Sequence, residues 1–133
     1  MQRKGGVTLI ELLIVVVIIL ILAAVTIPKL SAIREKAYFA AMRSDLKNLA
    51  SQQQIYYADS DSYTTSTASL AFTNSDGVAV TIAATSSGWA ATARHAKLLP
   101  AEVCSIYYGS AAAFATPATP IAPGEIACTR PAG

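Results

Sequence analysis

Metal-binding and reactive side chains are scarce in this 133-residue chain: it has one histidine and two cysteines. A structural zinc site takes four nitrogen or sulfur ligands, and His95, Cys104 and Cys128 cannot supply them, so no metal is expected. Asp59, Asp61 and Asp76 lack the loop spacing and closing glutamate of an EF-hand, which makes a solvated loop the default and calcium unexpected. Charge is also sparse, and the formal net charge of +2 includes Arg3 and Lys4. Without those two, eight basic side chains face eight acidic ones, which leaves no electrostatic case for nucleic-acid binding as the main role. No Ser-His-Asp arrangement, phosphate-binding loop or metal cluster is visible, so the chain is not expected to be an enzyme or to carry a cofactor.

What the chain does have is a long apolar run. Gly6 to Pro28 reads GVTLIELLIVVVIILILAAVTIP, and Leu12 to Val25 contains no polar residue. As a helix rising about 1.5 Å per residue, Val7 to Ile27 spans roughly 30 Å, the thickness of a bilayer core. A secretory signal would be cut after such a run, at a small-x-small step. Leu22 to Ala24 is a poor match to that pattern. A cut between Gly6 and Val7 would instead remove the short basic leader MQRKGG and leave the helix attached. Arg3 and Lys4 before the run compete with Lys29, Arg34, Lys36 and Arg43 after it, so charge bias does not fix orientation. The cysteine pair and the Ser/Thr-rich downstream region favour the C-terminal side being outside.

Glu11 is the one carboxylate within this run. An acid at the centre of a membrane span costs up to about 3 kcal/mol, less near the interface. Either it snorkels to the headgroups, or a cation from a neighbouring chain or a freed N-terminal amine pairs with it.

Pro28 ends the apolar run without ending the helical pattern, and a kink is expected there. From Lys29 onward no Gly or Pro occurs for about 30 residues, and Tyr38, Met42, Leu46 (with Asp45 on its flank), Leu49, Gln53 and Tyr56 draw one stripe at three- and four-residue steps. Arg34, Glu35, Lys47 and Asn48 fall away from it. The aromatic pairs Tyr38-Phe39 and Tyr56-Tyr57 read as packing residues at helical spacing. Asp59 to Ser69 is a polar linker that stops the helix.

Four short strands are expected beyond it. Val78 to Ala84 alternates Val78, Val80 and Ile82 with Ala79, Thr81 and Ala83, behind a turn at Asn74 to Gly77. Gly88 to His95 alternates Trp89, Ala91 and Ala93 with Ala90, Thr92 and Arg94. Val103 to Tyr108 and Glu125 to Thr129 complete the set, with an Ala/Pro/Thr-rich loop from Ala111 to Pro123 between them. Short connections imply an antiparallel meander, with one face covered by the amphipathic helix. His95, beside a strand end, is read as solvated or hydrogen-bonded in a structural role. Cys104 and Cys128 are read as one disulfide in an oxidising compartment, with two unpaired buried thiols as the alternative. On the chain-entropy account, closing a loop of about 25 residues stabilises the fold by roughly 3–4 kcal/mol.

The expected fold is therefore α+β: a long kinked N-terminal helix, half membrane-like and half amphipathic, packed on a small antiparallel sheet of about four strands. The expected parts are a leader at 1–6, an apolar helix at 7–28, an amphipathic helix at 29–58, and a linker, sheet and cysteine-bounded region at 59–133.

Behind MQRKG, the residues GVTLIELLIVVVIILILAAVTIP resemble the N-terminal signature of type IV pilins and their relatives. More loosely, GWAATARH, CSIYYG and GEIACT resemble the sheet and cysteine-bounded C-terminal region of type IVa-like pilins. The resemblance implies cleavage by a prepilin peptidase after Gly6 and N-methylation of Val7. It matches the family's early acid to Glu11 and its kink proline to Pro28. Val7 stands where phenylalanine is usual, and Leu20 where many members have a helix-weakening glycine. It further implies a single-pass subunit of the inner membrane that joins an extracellular pilus, a homopolymer built by inner-membrane machinery, serving adhesion or twitching motility. Assembly would pair Glu11 with the Val7 amine of a neighbour. The alternatives are a minor pilin or a pseudopilin of a type II secretion system. Major pseudopilins usually carry a calcium-binding C-terminal loop in place of a disulfide, so the cysteine pair leans toward a pilus.

Overall fold

A computed structural model of the chain describes residues 5–114 and 116–130. Residues 1–4 of the expected leader, with Arg3 and Lys4, lie outside this range. The described chain has one helix and four strands: α1 (Leu9–Ser60), β1 (Val78–Ala84), β2 (Gly88–His95), β3 (Val103–Gly109) and β4 (Ala127–Cys128). It divides after Arg34 into two compact units.

In the first unit, α1 starts behind Thr8 and runs without a break through the apolar stretch. Pro28 lies inside the helix, where its ring nitrogen cannot donate to the preceding turn. Just before it, the Thr26 hydroxyl donates to the Leu22 carbonyl at 2.7 Å, a back-bond of the kind that bends helices. The apolar side chains of this unit are left exposed among the described residues: Leu9, Leu20 and Ile27 stand at 85%, 62% and 69%. The run's mean hydropathy of 3.2 is high enough for a membrane span. So many exposed Leu, Ile and Val side chains call for an apolar environment around this unit.

The second unit begins at Glu35 and is organised as expected, a helix packed on a four-stranded antiparallel sheet of order β1-β2-β3-β4. Val78 pairs with His95 at one end of the β1–β2 hairpin and Ala84 with Trp89 at the other, so a two-residue turn at Ser86-Ser87 closes it. Gly88 to Arg94 then pair with Gly109 to Val103. The core joins Phe39, Met42, Leu46 and Leu49 of α1 to Val78, Trp89, Ala91, Ala93, Cys104 and Ile106 of the sheet. The small Ala91 and Ala93 leave room for the helix, and Trp89 fills the end of the sheet.

Four expectations are corrected by the packing. The helix stripe begins at Phe39, which is buried, whereas Tyr38 is only half-buried. Tyr38 instead stacks on His95, with ring centroids 4.1 Å apart. The polar linker, Asp59 to Ser69, begins inside the helix, which runs on to Ser60, and just beyond it Leu70 and Phe72 enter the core. The second face of the sheet is also partly covered: Ala90, Thr92 and Ser105 are buried, and the Ser105 hydroxyl donates to the carbonyl of the buried Ala118. The Ala/Pro/Thr-rich loop thus folds back on the sheet. Finally, β4 is limited to Ala127–Cys128, because Ala122 to Glu125 turns, with the Glu125 N–H donating to the Ala122 carbonyl at 3.2 Å.

Candidate assembly segment and the fastenings of the head

Gly5 to Thr8 precede the helix in non-helical backbone, and Val7 is 74% exposed. Nothing lies within 4 Å of the position a side chain would take at Gly6. The Gly6–Val7 bond therefore sits in an open, non-helical approach to α1.

Glu11 has a partner that the sequence reading missed. The Thr8 N–H and hydroxyl both donate to Glu11 Oε2, at 2.8 and 3.0 Å. In return the Glu11 N–H donates to the Thr8 hydroxyl at 3.3 Å. This is a capping box: Thr8 is the residue before the first helical turn and Glu11 the third within it, and each satisfies a donor the helix end leaves unpaired. The signal was present in the spacing Thr8-x-x-Glu11. The carboxylate also lies in the first turn, where the helix dipole favours negative charge.

In the second unit, side chains of α1 fasten three segments around the sheet. Asp45 accepts from the Ser75 N–H at 2.8 Å and from the Ser75 hydroxyl at 2.6 Å, fixing the turn that leads into β1. Gln53 is fully buried, and its amide bonds both ways with the Thr64 backbone, giving to the carbonyl at 2.6 Å and taking from the N–H at 3.2 Å. Near the start of this half, Arg43 donates to Cys128 Sγ at 3.2 Å and to the Arg130 carbonyl at 3.1 Å. Arg130 in turn pairs with Glu35, and with Glu102 at 3.2 Å.

Cys104 and Cys128 are bonded, and they are directly opposed residues of the β3–β4 pair. The bridge fastens the last strand, too short to hold itself, to the buried strand β3. His95 is buried and structural: its Nδ1 accepts from the Lys97 N–H at 3.1 Å, and its ring lies between Tyr38 and Gly77. Gly77 has φ +75°, and a Cβ there would come within 3.0 Å of the His95 ring, so both backbone and space call for glycine.

Two comparisons bear on these residues. The family described as the prokaryotic N-terminal methylation motif matches residues 1–27. Over 70 residues the chain is 46% identical to the type IV wide pilus major component PilA4 of Thermus thermophilus. Over that stretch the chain is similar to a type IV pilus component. The aligned part is 53% of this chain and 53% of that relative, so the match spans about half the length of each. The matched motif contains Gly6, Val7, Glu11 and most of the exposed apolar helix.

Proposed function

We propose that this chain is a structural subunit of a type IV pilus filament. A prepilin peptidase would cut between Gly6 and Val7, and Val7 would then be N-methylated. The apolar part of α1 would hold the subunit in the inner membrane until assembly machinery transfers it to a growing pilus, where the same surface packs against helices of other copies. The observation that carries this reading is the methylation motif lying on a helix whose apolar surface is left exposed among the described residues.

Glu11 fits both environments. In the lone subunit, Oε2 is held by Thr8, while Oε1 has no partner among the described residues. The free oxygen suits the Val7 amine of a neighbour, a pairing that offsets the desolvation of both charges and sets the axial register. Pro28, inside the helix, is where a bend would join the two surroundings. The bridged β3–β4 pair supports a pilus subunit over a secretion pseudopilin.

The test is mass spectrometry of filaments sheared from the cell surface. The reading requires mature chain beginning at methylated Val7 as an abundant component. Recovery of only uncut chain, in the membrane fraction, overturns it.

A further inference from the structure

The two flanks of the second unit carry opposite charge at one level of α1. The sheet order β1-β2-β3-β4 puts β1 at one edge and β4 at the other. At about 100° per residue, Arg43 and Lys47 lie roughly 60° and 100° to one side of the buried Leu46, and Asp45 roughly 100° to the other. The contacts agree: Arg43 bonds to Cys128 of β4, and Asp45 bonds to Ser75 ahead of β1. Ser75 is followed by Asp76, which is exposed. Asp76 is thus held on the β1 flank near the level of Asp45, which lies between Arg43 and Lys47 of the β4 flank. Among the described residues, no ion pair involves Asp76, Arg43 or Lys47. Arg43 gives its hydrogen bonds to a sulfur and a carbonyl, both uncharged. The two cations line a groove of about 830 Å³ whose apolar lining includes Ala50, Ile106 and Ile126.

We propose that the Asn74–Gly77 turn of one copy docks on this groove of the next, with Asp76 set against Lys47 and Arg43. The proposal rests on the pilus reading, which supplies the copies. Because the acid and the cations stand near one level on opposite flanks, a sideways shift of one head without rotation brings them together. Both chains then run in the same direction, as copies anchored in one membrane do. The acid and the cations are different patches of the surface, so the contact is heterologous. Each pair of copies keeps a free groove on one side and a free turn on the other, and the contact propagates along a row. Groove against groove is repelled by like charge, which favours this one order of heads. An exposed ion pair is weak by itself. It acts here as a register between heads that their apolar helices already gather, where the effective concentration is high.

Lys47 and Asp76 are exposed, so replacing them should spare the fold, which fluorescence of the buried Trp89 checks. The chain's own cysteines are bonded to each other, so introduced thiols can be addressed separately. Surface filaments of the chain carrying both Lys47→Cys and Asp76→Cys are treated with a short bismaleimide and run on a denaturing gel. A ladder of covalent oligomers is expected, because each chain is linked to two others; either single variant should give none. In parallel, Lys47→Glu and Asp76→Lys should each lower the yield of sheared filaments several-fold. The two combined should yield more than either alone, a coupling that separate damage to the fold does not produce. Asp59→Lys, at an exposed position about 20 Å farther along α1, should leave the yield near that of wild type. Filaments whose double-cysteine chains give no ladder, or an equal loss from Asp59→Lys, overturn the contact while leaving the pilus reading intact. Absence of filaments from wild-type cells overturns that reading, and the contact with it.

Discussion

Asp45, on the buried face of α1, takes both donors of Ser75, the N–H at 2.8 Å and the hydroxyl at 2.6 Å. The carboxylate is 5% exposed, and these bonds give it the compensation a buried charge requires. They join residues 30 positions apart and set where β1 begins.

Asp45→Ala would remove the acceptor and leave the Ser75 donors facing a cavity. Hydrogen bonds to charged groups contribute roughly 1.5–3 kcal/mol, so a loss of about 2 kcal/mol or more is expected. The protein has a single tryptophan, Trp89, and it is 1% exposed, so its emission reports unfolding of the core directly. A denaturant midpoint unchanged from wild type would show that the Asp45–Ser75 pair contributes nothing net.

The Cys104–Cys128 bridge, with a sequence separation of 24, closes the loop that carries the Ala/Pro/Thr-rich segment. Replacing both cysteines by serine should destabilise the second unit by about 3 kcal/mol on the chain-entropy account. The largest local loss should appear at β4, whose two residues pair only with β3. Hydrogen exchange would show this as lost protection at Ala127 to Thr129, with β1 and β2 less affected. Uniform loss across the sheet would indicate that the bridge stabilises the whole unit rather than its last strand.

The elements proved legible because each carries a strong local period. Val78–Ala84 and Gly88–His95 alternate over seven and eight residues between turn signals, and they are strands at those bounds. The helix ran long because Pro28 was its one interruption. What escaped was set by contacts distant in sequence. Nothing local distinguishes Phe39 from Tyr38 as the core residue; the choice depends on His95, which gives Tyr38 a stacking partner outside the core. Leu70 and Phe72 sit in a polar stretch without periodicity, so their burial is decided by the space above the sheet. Asp45 was noted at the edge of the stripe, but its partner Ser75 could not be inferred from spacing. At the candidate assembly site the signal is local, since Thr8-x-x-Glu11 has the spacing of a capping box, but the apolar run beside it dominates the pattern.

At Tyr57 the nearby Asp61 carboxylate is the main cause that raises the phenol pKa above its ordinary value, with smaller contributions from burial and Tyr63. A negative charge disfavours the phenolate, so the folded state holds this proton more tightly than the unfolded chain. The resulting contribution to stability is complete below the phenol's ordinary pKa and is lost as pH rises through the folded-state value. Asp61→Asn should lower the Tyr57 transition toward that of an ordinary phenol. The difference in tyrosinate absorbance between each protein and its Tyr57→Phe derivative isolates this one residue. An identical Tyr57 transition with aspartate or asparagine at position 61 would exclude Asp61 as the cause.

Glu11 has two candidate roles that substitution can separate. As the third residue of a capping box it needs only an acceptor and a long side chain, and glutamine serves there as well as glutamate. As the partner of a neighbour's Val7 amine it needs its negative charge. Glu11→Ala removes both roles, whereas Glu11→Gln keeps the cap acceptor and removes the charge. Both variants are therefore expected to be cut after Gly6 and to remain in the membrane without forming filaments. If the cap were the whole role, Glu11→Gln would restore surface filaments and only Glu11→Ala would be bare. Electron microscopy of the two strains, beside the measured mass of the membrane-held chain, distinguishes the outcomes. Normal piliation in Glu11→Gln would remove the charge pairing from the assembly mechanism and leave Glu11 as a helix cap.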